Sequence, residues 1–225
     1  MDNSPPYGCR ERLQERDFEF VVDVLGQDDN NASLKTLFRD KTALNVILDQ
    51  DEILSAILQL RYPLSISPEL YFYVLVRHAL KQAGIEEMEV ADYVAATLAE
   101  CAHGDPTRVL SNDSNTGFTY HVDFLKALDQ ASAYEQFYLQ VRCGNQFMVL
   151  TSLFPRFIRH RRDIHGAPGV RYYEGVARQA FESASRHPLA EEFALTGVYE
   201  TLSQVFPQAR RALNHLAQEY LFLDQ

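Results

Sequence analysis

Apolar residues recur along the chain with the period of an α-helix. Between residues 90 and 101 they fall at i, i+3, i+4, i+8 and i+11, with Thr97 at i+7, which places them on one helix face. The same spacing recurs over 195–206 and, in shorter form, over 13–24 and 209–220. No two alternating segments are joined by a hairpin turn signal. The pattern therefore predicts an all-α protein, a compact bundle of about eight to ten helices with no significant sheet.

Proline and glycine predict where several of these helices begin and end. Proline is well tolerated at the first helical position. Four prolines lie where helical periodicity begins: Pro68, Pro168, Pro188 and Pro207. The run "LYFYVLV" at 70–76 has the composition of a buried strand, but Ser67 and Pro68 form a helix start and Gly84 a helix stop. We therefore predict one central helix over 68–83.

A polar connector at 103–119 divides the chain into segments of similar size. At 225 residues the chain is long enough for one substantial hydrophobic core. We expect a single all-α globular domain over 1–225. The pattern leaves open whether 8–102 and 120–225 form two packed helical halves within it.

The chain carries more acidic than basic side chains. The net charge is −10, and an acidic chain repels nucleic-acid phosphates, so nucleic acid is not favoured as a partner.

The three cysteines are widely spaced and form no CxxC pattern, which is typical of free thiols in the cytoplasm. No apolar run is long enough to span a membrane, so we expect a cytoplasmic protein with no membrane partner.

Residues 154–174 contain five arginines and two histidines. We predict a short helix anchored inward by Phe157, a turn, and a second helix that starts at Pro168 with Arg171 in its first turn. The candidate basic edge consists of Arg156, Arg159, His160, Arg161, Arg162 and Arg171. Three roles remain open for it: pairing with the chain's own carboxylates, contact with a protein partner, or binding of a phosphate-like anion.

Four polar residues interrupt apolar helices and form a second candidate site. Arg77 and His78 follow seven apolar residues, and Arg142 and Asn145 lie three residues apart on one helix face. Either these residues make structural ion pairs and hydrogen bonds, or they line a pocket for an anionic ligand. Gly144, between the latter two, predicts a close helix contact or a kink. The neighbouring Cys143 is either an inert buried thiol or one whose pKa Arg142 lowers.

Signatures of known chemistry are absent from the sequence. There is no Walker loop, no GxGxxG and no GxSxG. A di-iron site requires two Glu-x-x-His pairs, and only Glu100 and His103 match. We therefore assign no catalytic residue, no metal and no cofactor, and an enzyme is not the favoured interpretation.

Two classes of function remain. The first is a non-catalytic helical interaction protein, with an acidic surface and an arginine-rich edge that binds a protein partner or a second copy of the chain. The alternative is a small-molecule binding protein or enzyme with a polar pocket for an anionic ligand inside the bundle.

Overall fold

The computed structural model describes residues 8–26, 38, 40–60, 65–103 and 121–221. These residues form eleven α-helices and no strand, which confirms the all-α class with one helix more than expected. The helices are α1 Glu15–Leu25, α2 Lys41–Leu48, α3 Asp51–Leu58, α4 Pro68–Gln82, α5 Met88–His103, α6 His121–Gln130, α7 Ala133–Leu153, α8 Pro155–His165, α9 Val170–Ser185, α10 Pro188–Glu192 and α11 Thr196–Leu216. The predicted connector, apart from residue 103, lies outside the described residues.

The central helix α4 begins and ends as its flanking residues predict. Pro68 is the first helical residue, and the Ser67 hydroxyl accepts a hydrogen bond from the Leu70 amide at 3.1 Å. Gly84 follows the helix with φ +79°, a left-handed conformation in which a side chain would be strained. The run "LYFYVLV" is therefore helical, because these end signals outweigh its strand-like composition.

Asp17, the polar exception in the apolar face of α1, links the starts of two helices. Its buried carboxylate accepts hydrogen bonds from the Gln14 amide at 2.8 Å and from both the amide and the hydroxyl of Ser67 at 2.7 Å. Three donors compensate for the loss of hydration on burial. Asp17 therefore fixes the start of α1 against the start of α4.

An aromatic cluster joins α5 to α9 and α11. Tyr93 contacts Phe181 and Tyr199 edge-on, with ring centroids 6.5 and 5.4 Å apart. Phe181 and Tyr199 stack on each other at 5.9 Å. All three side chains are buried, so the hydrophobic core contains residues from both sides of the predicted connector.

Helices α7 and α9 approach closely at Gly144. A Cβ atom added there would lie 2.8 Å from Cε1 of Phe181, closer than van der Waals contact allows. Of the two predictions for this glycine, the close helix contact is therefore confirmed.

Two predicted helix starts are wrong. Helix α9 begins at Val170, with Gly169 as its N-cap, so Pro168 precedes the helix. Pro207 lies inside α11, which runs without interruption from Thr196 to Leu216. The two apolar segments on either side of Pro207 are therefore one helix, because tertiary packing tolerates a proline that peptide propensity disfavours. Arg171 does lie in the first turn of α9, as predicted.

None of the described helices combines the length and apolar character that crossing a membrane requires.

Candidate functional site

A cleft of about 700 Å³ lies between α8, α9 and α11, and arginine dominates its lining. We call it the arginine-lined cleft; its arginines are Arg159, Arg171, Arg178, Arg210 and Arg211. Glu174 is the only acidic residue among the described residues that line it. The formal charge of the lining is therefore +5 − 1 = +4, whereas the whole chain carries −10.

Helical spacing brings these side chains together. On α9, Arg171, Glu174 and Arg178 lie at i, i+3 and i+7, so they share one face. Arg178 on α9 contacts Ser203 on α11. Glu174, four residues before Arg178, contacts Arg210, seven residues after Ser203. The two helices are therefore antiparallel, and each contributes arginines to the same groove.

Two of the five arginines are held by residues of the neighbouring helix. The Nε of Arg178 donates to the carbonyl oxygen of Ser203 at 2.9 Å. The Nε of Arg210 donates to Oε1 of Glu174 in an ion pair whose side chains are 19% and 14% exposed. These contacts fix the two guanidinium groups against α11 and α9. Arg178, whose partner is a neutral carbonyl, is therefore a preorganised donor that loses less entropy when it binds a ligand.

The other three arginines offer unoccupied donors to solvent. Arg159, Arg171 and Arg211 are exposed and make no ion pair with another described residue. A guanidinium presents a planar fork of N–H donors that matches carboxylate and phosphate oxygens. The cleft is therefore suited to an anionic ligand rather than to a neutral or cationic one.

The structure separates the predicted basic edge into two groups. Of the six residues of that edge, only Arg159 and Arg171 line the cleft. The guanidinium of Arg161 lies 5.5 Å from the centroid of the Phe157 ring, and Arg162 pairs with Asp163 at 3.0 Å. The other two residues of the edge, Arg156 and His160, are exposed on α8 and do not line the cleft.

Phe157 packs inward, as predicted, but it is not the most deeply buried residue of α8. It is half-buried and lies against the hydrophobic core, whereas Ile158 is only 4% exposed. Arg159, which follows Ile158, is exposed at the cleft.

No pattern in the sequence predicted Arg178, Arg210 and Arg211 as site residues. Arg178 lies seven residues after Arg171, a spacing that would have placed both on one face of α9. The two α11 residues were assigned to a separate helix starting at Pro207, so no pattern related them to α9. Their position depends on interhelical packing, which periodicity alone does not specify.

Arg77 is engaged by the protein itself. Its Nε donates to Oδ1 of Asp49 at 2.9 Å, its Nη2 to Oδ2 at 3.0 Å, and its Nη1 to the Glu86 carbonyl at 2.7 Å. Burial alone would raise the pKa of Asp49, but the hydrogen bonds and charge of Arg77, with a smaller contribution from Lys81, lower it below the ordinary value. These contacts match the structural interpretation of Arg77.

The four polar residues predicted to form one pocket do not line one described cavity. Arg77 and His78 border a cavity of about 290 Å³ that neither Arg142 nor Asn145 lines. His78 lies with its Nε2 2.9 Å from the Nε2 of Gln82. An anionic ligand could therefore enter a cavity beside Arg77 and His78, but Arg77 already binds the carboxylate of Asp49.

Asn145 and its neighbours have contacts of their own on α7. The hydroxyl of Tyr93 donates to Oδ1 of Asn145 at 2.8 Å. Arg142 is half-buried, and burial lowers its pKa. Burial has the opposite effect on the thiol of Cys143 and raises its pKa, so the interpretation of Cys143 as a thiol with a lowered pKa is wrong. Cys9 and Cys101 are also free, and burial raises their pKa to about 12 and about 11.

Within the described part of the chain, no group of three or more His, Cys, Asp or Glu side chains is arranged to hold a metal ion. No protein-family model, curated protein or solved structure matches the chain.

Proposed function

We propose that this protein is a non-catalytic interaction protein that binds an acidic segment of a protein partner in the arginine-lined cleft. The observation that carries the proposal is the convergence of five arginines from three helices on one cleft, in a chain whose net charge is −10. Like charges placed together repel each other and destabilise the folded state. A bound acidic segment would remove that cost.

Carboxylates are the ligand groups that suit this cleft. Arginine forks bind them bidentately, and several forks on different helices would engage several carboxylates along one chain. Pro155, Val170 and Pro207 lie among the arginines and would contact the aliphatic parts of glutamate side chains. A mixed polar and apolar lining is typical of protein interfaces.

The alternative is a small anionic molecule, because the cleft volume falls within the usual range for small-molecule sites. A phosphate group would use the same arginine donors. A second copy of this acidic chain is a third source of carboxylates. The experiment below separates the three.

The test is the binding of a fluorescein-labelled oligoglutamate peptide, measured by fluorescence anisotropy. The cleft variant Arg159→Gln/Arg171→Gln/Arg211→Gln removes the three unpaired cleft arginines. The control variant Arg16→Gln/Lys126→Gln/Arg186→Gln removes the same amount of charge from exposed positions outside the cleft. We expect the cleft variant to weaken binding by roughly 150-fold, at about 1 kcal/mol for each of the three charged contacts, and the control variant to retain most of the affinity.

Equal losses in the two variants would mean that the peptide responds to net charge alone, and would contradict the proposal. Cleft-dependent binding of inorganic pyrophosphate without binding of the peptide would favour the small-molecule alternative. Sedimentation without added ligand detects self-association, which the cleft variant should reduce if a second copy is the partner. A third variant, Arg156→Gln/Arg161→Gln/Arg162→Gln, tests the rest of the basic edge and should bind nearly normally.

A further inference from the structure

Glu174 lies in the middle of the arginine-lined cleft and holds one of its cations. It lies one turn after Arg171 and one turn before Arg178 on α9, and its carboxylate accepts from Arg210 on α11. Its side chain is 14% exposed. A carboxylate of the chain itself therefore binds a guanidinium in the place where a ligand carboxylate would bind.

The charge of Glu174 opposes an acidic ligand in two ways. It uses a donor of Arg210 that the ligand would otherwise bind, and its own charge repels ligand carboxylates at short range. Because Glu174 and Arg210 are mostly removed from water, this effect is less screened than between exposed charges. Removing the charge of Glu174 while keeping its shape should strengthen binding.

Building on the proposed function, we infer that Glu174 is an internal competitor of the acidic ligand, which occupies Arg210 and limits the affinity of the cleft. The cleft binds its partner by exchanging one carboxylate for another at Arg210. Such an exchange favours reversible binding and selects ligands with several carboxylates, because a single one gains little over Glu174.

The test is a double-mutant cycle on Glu174→Gln and Arg210→Gln, with oligoglutamate affinity as the readout. Glutamine keeps the size of glutamate and one acceptor oxygen but removes the charge. We expect Glu174→Gln to bind the peptide about five-fold more tightly. In the Arg210→Gln background the same substitution should give a clearly smaller gain, because the cation that Glu174 occupies is then gone and only the repulsion between Glu174 and the ligand carboxylates is relieved.

Each outcome has one meaning. Binding to the unmodified chain with no gain in Glu174→Gln, or with an equal gain in both backgrounds, overturns the competitor inference and leaves the proposed function standing. Absence of cleft-dependent binding to every protein in the cycle overturns both. Circular dichroism checks that each variant folds, and Glu174→Ala is the second variant if Glu174→Gln does not.

Discussion

The side chain of Arg178 donates its Nε–H to the carbonyl oxygen of Ser203 at 2.9 Å, four residues before Pro207. In an α-helix the carbonyl of Ser203 would accept from the amide of residue 207. Residue 207 is a proline inside α11 and has no N–H. Arg178 therefore replaces the missing helical hydrogen bond, and this contact positions its guanidinium beside the cleft.

Replacing Pro207 by alanine should stabilise the protein and weaken the cleft. The new amide competes with Arg178 for the Ser203 carbonyl, so we expect the free energy of unfolding to rise by about 1 kcal/mol. We expect oligoglutamate affinity to fall, because Arg178 loses the contact that orients it. Urea denaturation and fluorescence anisotropy measure the two quantities. An unchanged affinity in Pro207→Ala would show that the proline does not position Arg178.

Two helical glycines should respond oppositely to alanine. A Cβ atom at Gly144 would lie 2.8 Å from the Phe181 ring, whereas at Gly175 it would meet nothing within 4 Å. We expect Gly144→Ala to destabilise by about 1–3 kcal/mol through overpacking. Gly175→Ala should stabilise by about 0.5–1 kcal/mol, since alanine favours helix. Thermal unfolding compares them directly, and a stable Gly144→Ala would contradict the close approach of α7 and α9.

Asp49 should contribute stability that disappears in acid. Its pKa in the folded protein lies below the ordinary value of 3.8. The ionised form is therefore favoured by folding, and its contribution is present above that value and lost as the pH falls through the folded pKa. We expect Asp49→Asn to cost about 2 kcal/mol near neutral pH, because Arg77 loses its carboxylate. Urea denaturation near neutrality and below about pH 3 measures the difference, which should shrink at the lower pH. A cost that stays constant, or grows, would contradict the ion pair.

Asp17→Asn should be strongly destabilising although Asp17 contacts no described cation. Its carboxylate accepts three hydrogen bonds that fix the starts of α1 and α4. An amide nitrogen in place of one oxygen would face donors, so we expect a loss of about 2–3 kcal/mol. The matched control is Asp51→Asn at the exposed first turn of α3, which should change stability by less than about 0.5 kcal/mol. Equal effects of the two substitutions would remove Asp17 from this role.

Local patterns in the sequence predicted most of the helices, because a helix depends on nearby residues. Pro68 and Gly84 bound α4 as expected, and Arg171 lies in the first turn of α9. Pro207 misled the prediction, since its missing amide is compensated by Arg178, a residue 29 positions earlier whose contact no local pattern reveals.

The candidate site was predicted only in part for the same reason. Arg159 and Arg171 stood out because they belong to a local concentration of arginine. Arg210 joins them through the packing of α11 on α9, and its pairing with Glu174 depends on the register of those two helices. That register is fixed by contacts between α9 and α11, such as the stacking of Phe181 on Tyr199 with ring centroids 5.9 Å apart.

The most direct test of cleft binding follows the arginine Nε–H resonances of the isotope-labelled protein by NMR while oligoglutamate is added. We expect the resonances of Arg159, Arg171 and Arg211 to shift with one common saturation curve, while those of Arg16 and Arg186, outside the cleft, stay in place. Two results would contradict the assignment of the arginine-lined cleft as the binding site. One is shifts of the same size at these three cleft arginines and at Arg16 and Arg186; the other is shifts confined to Arg16 and Arg186.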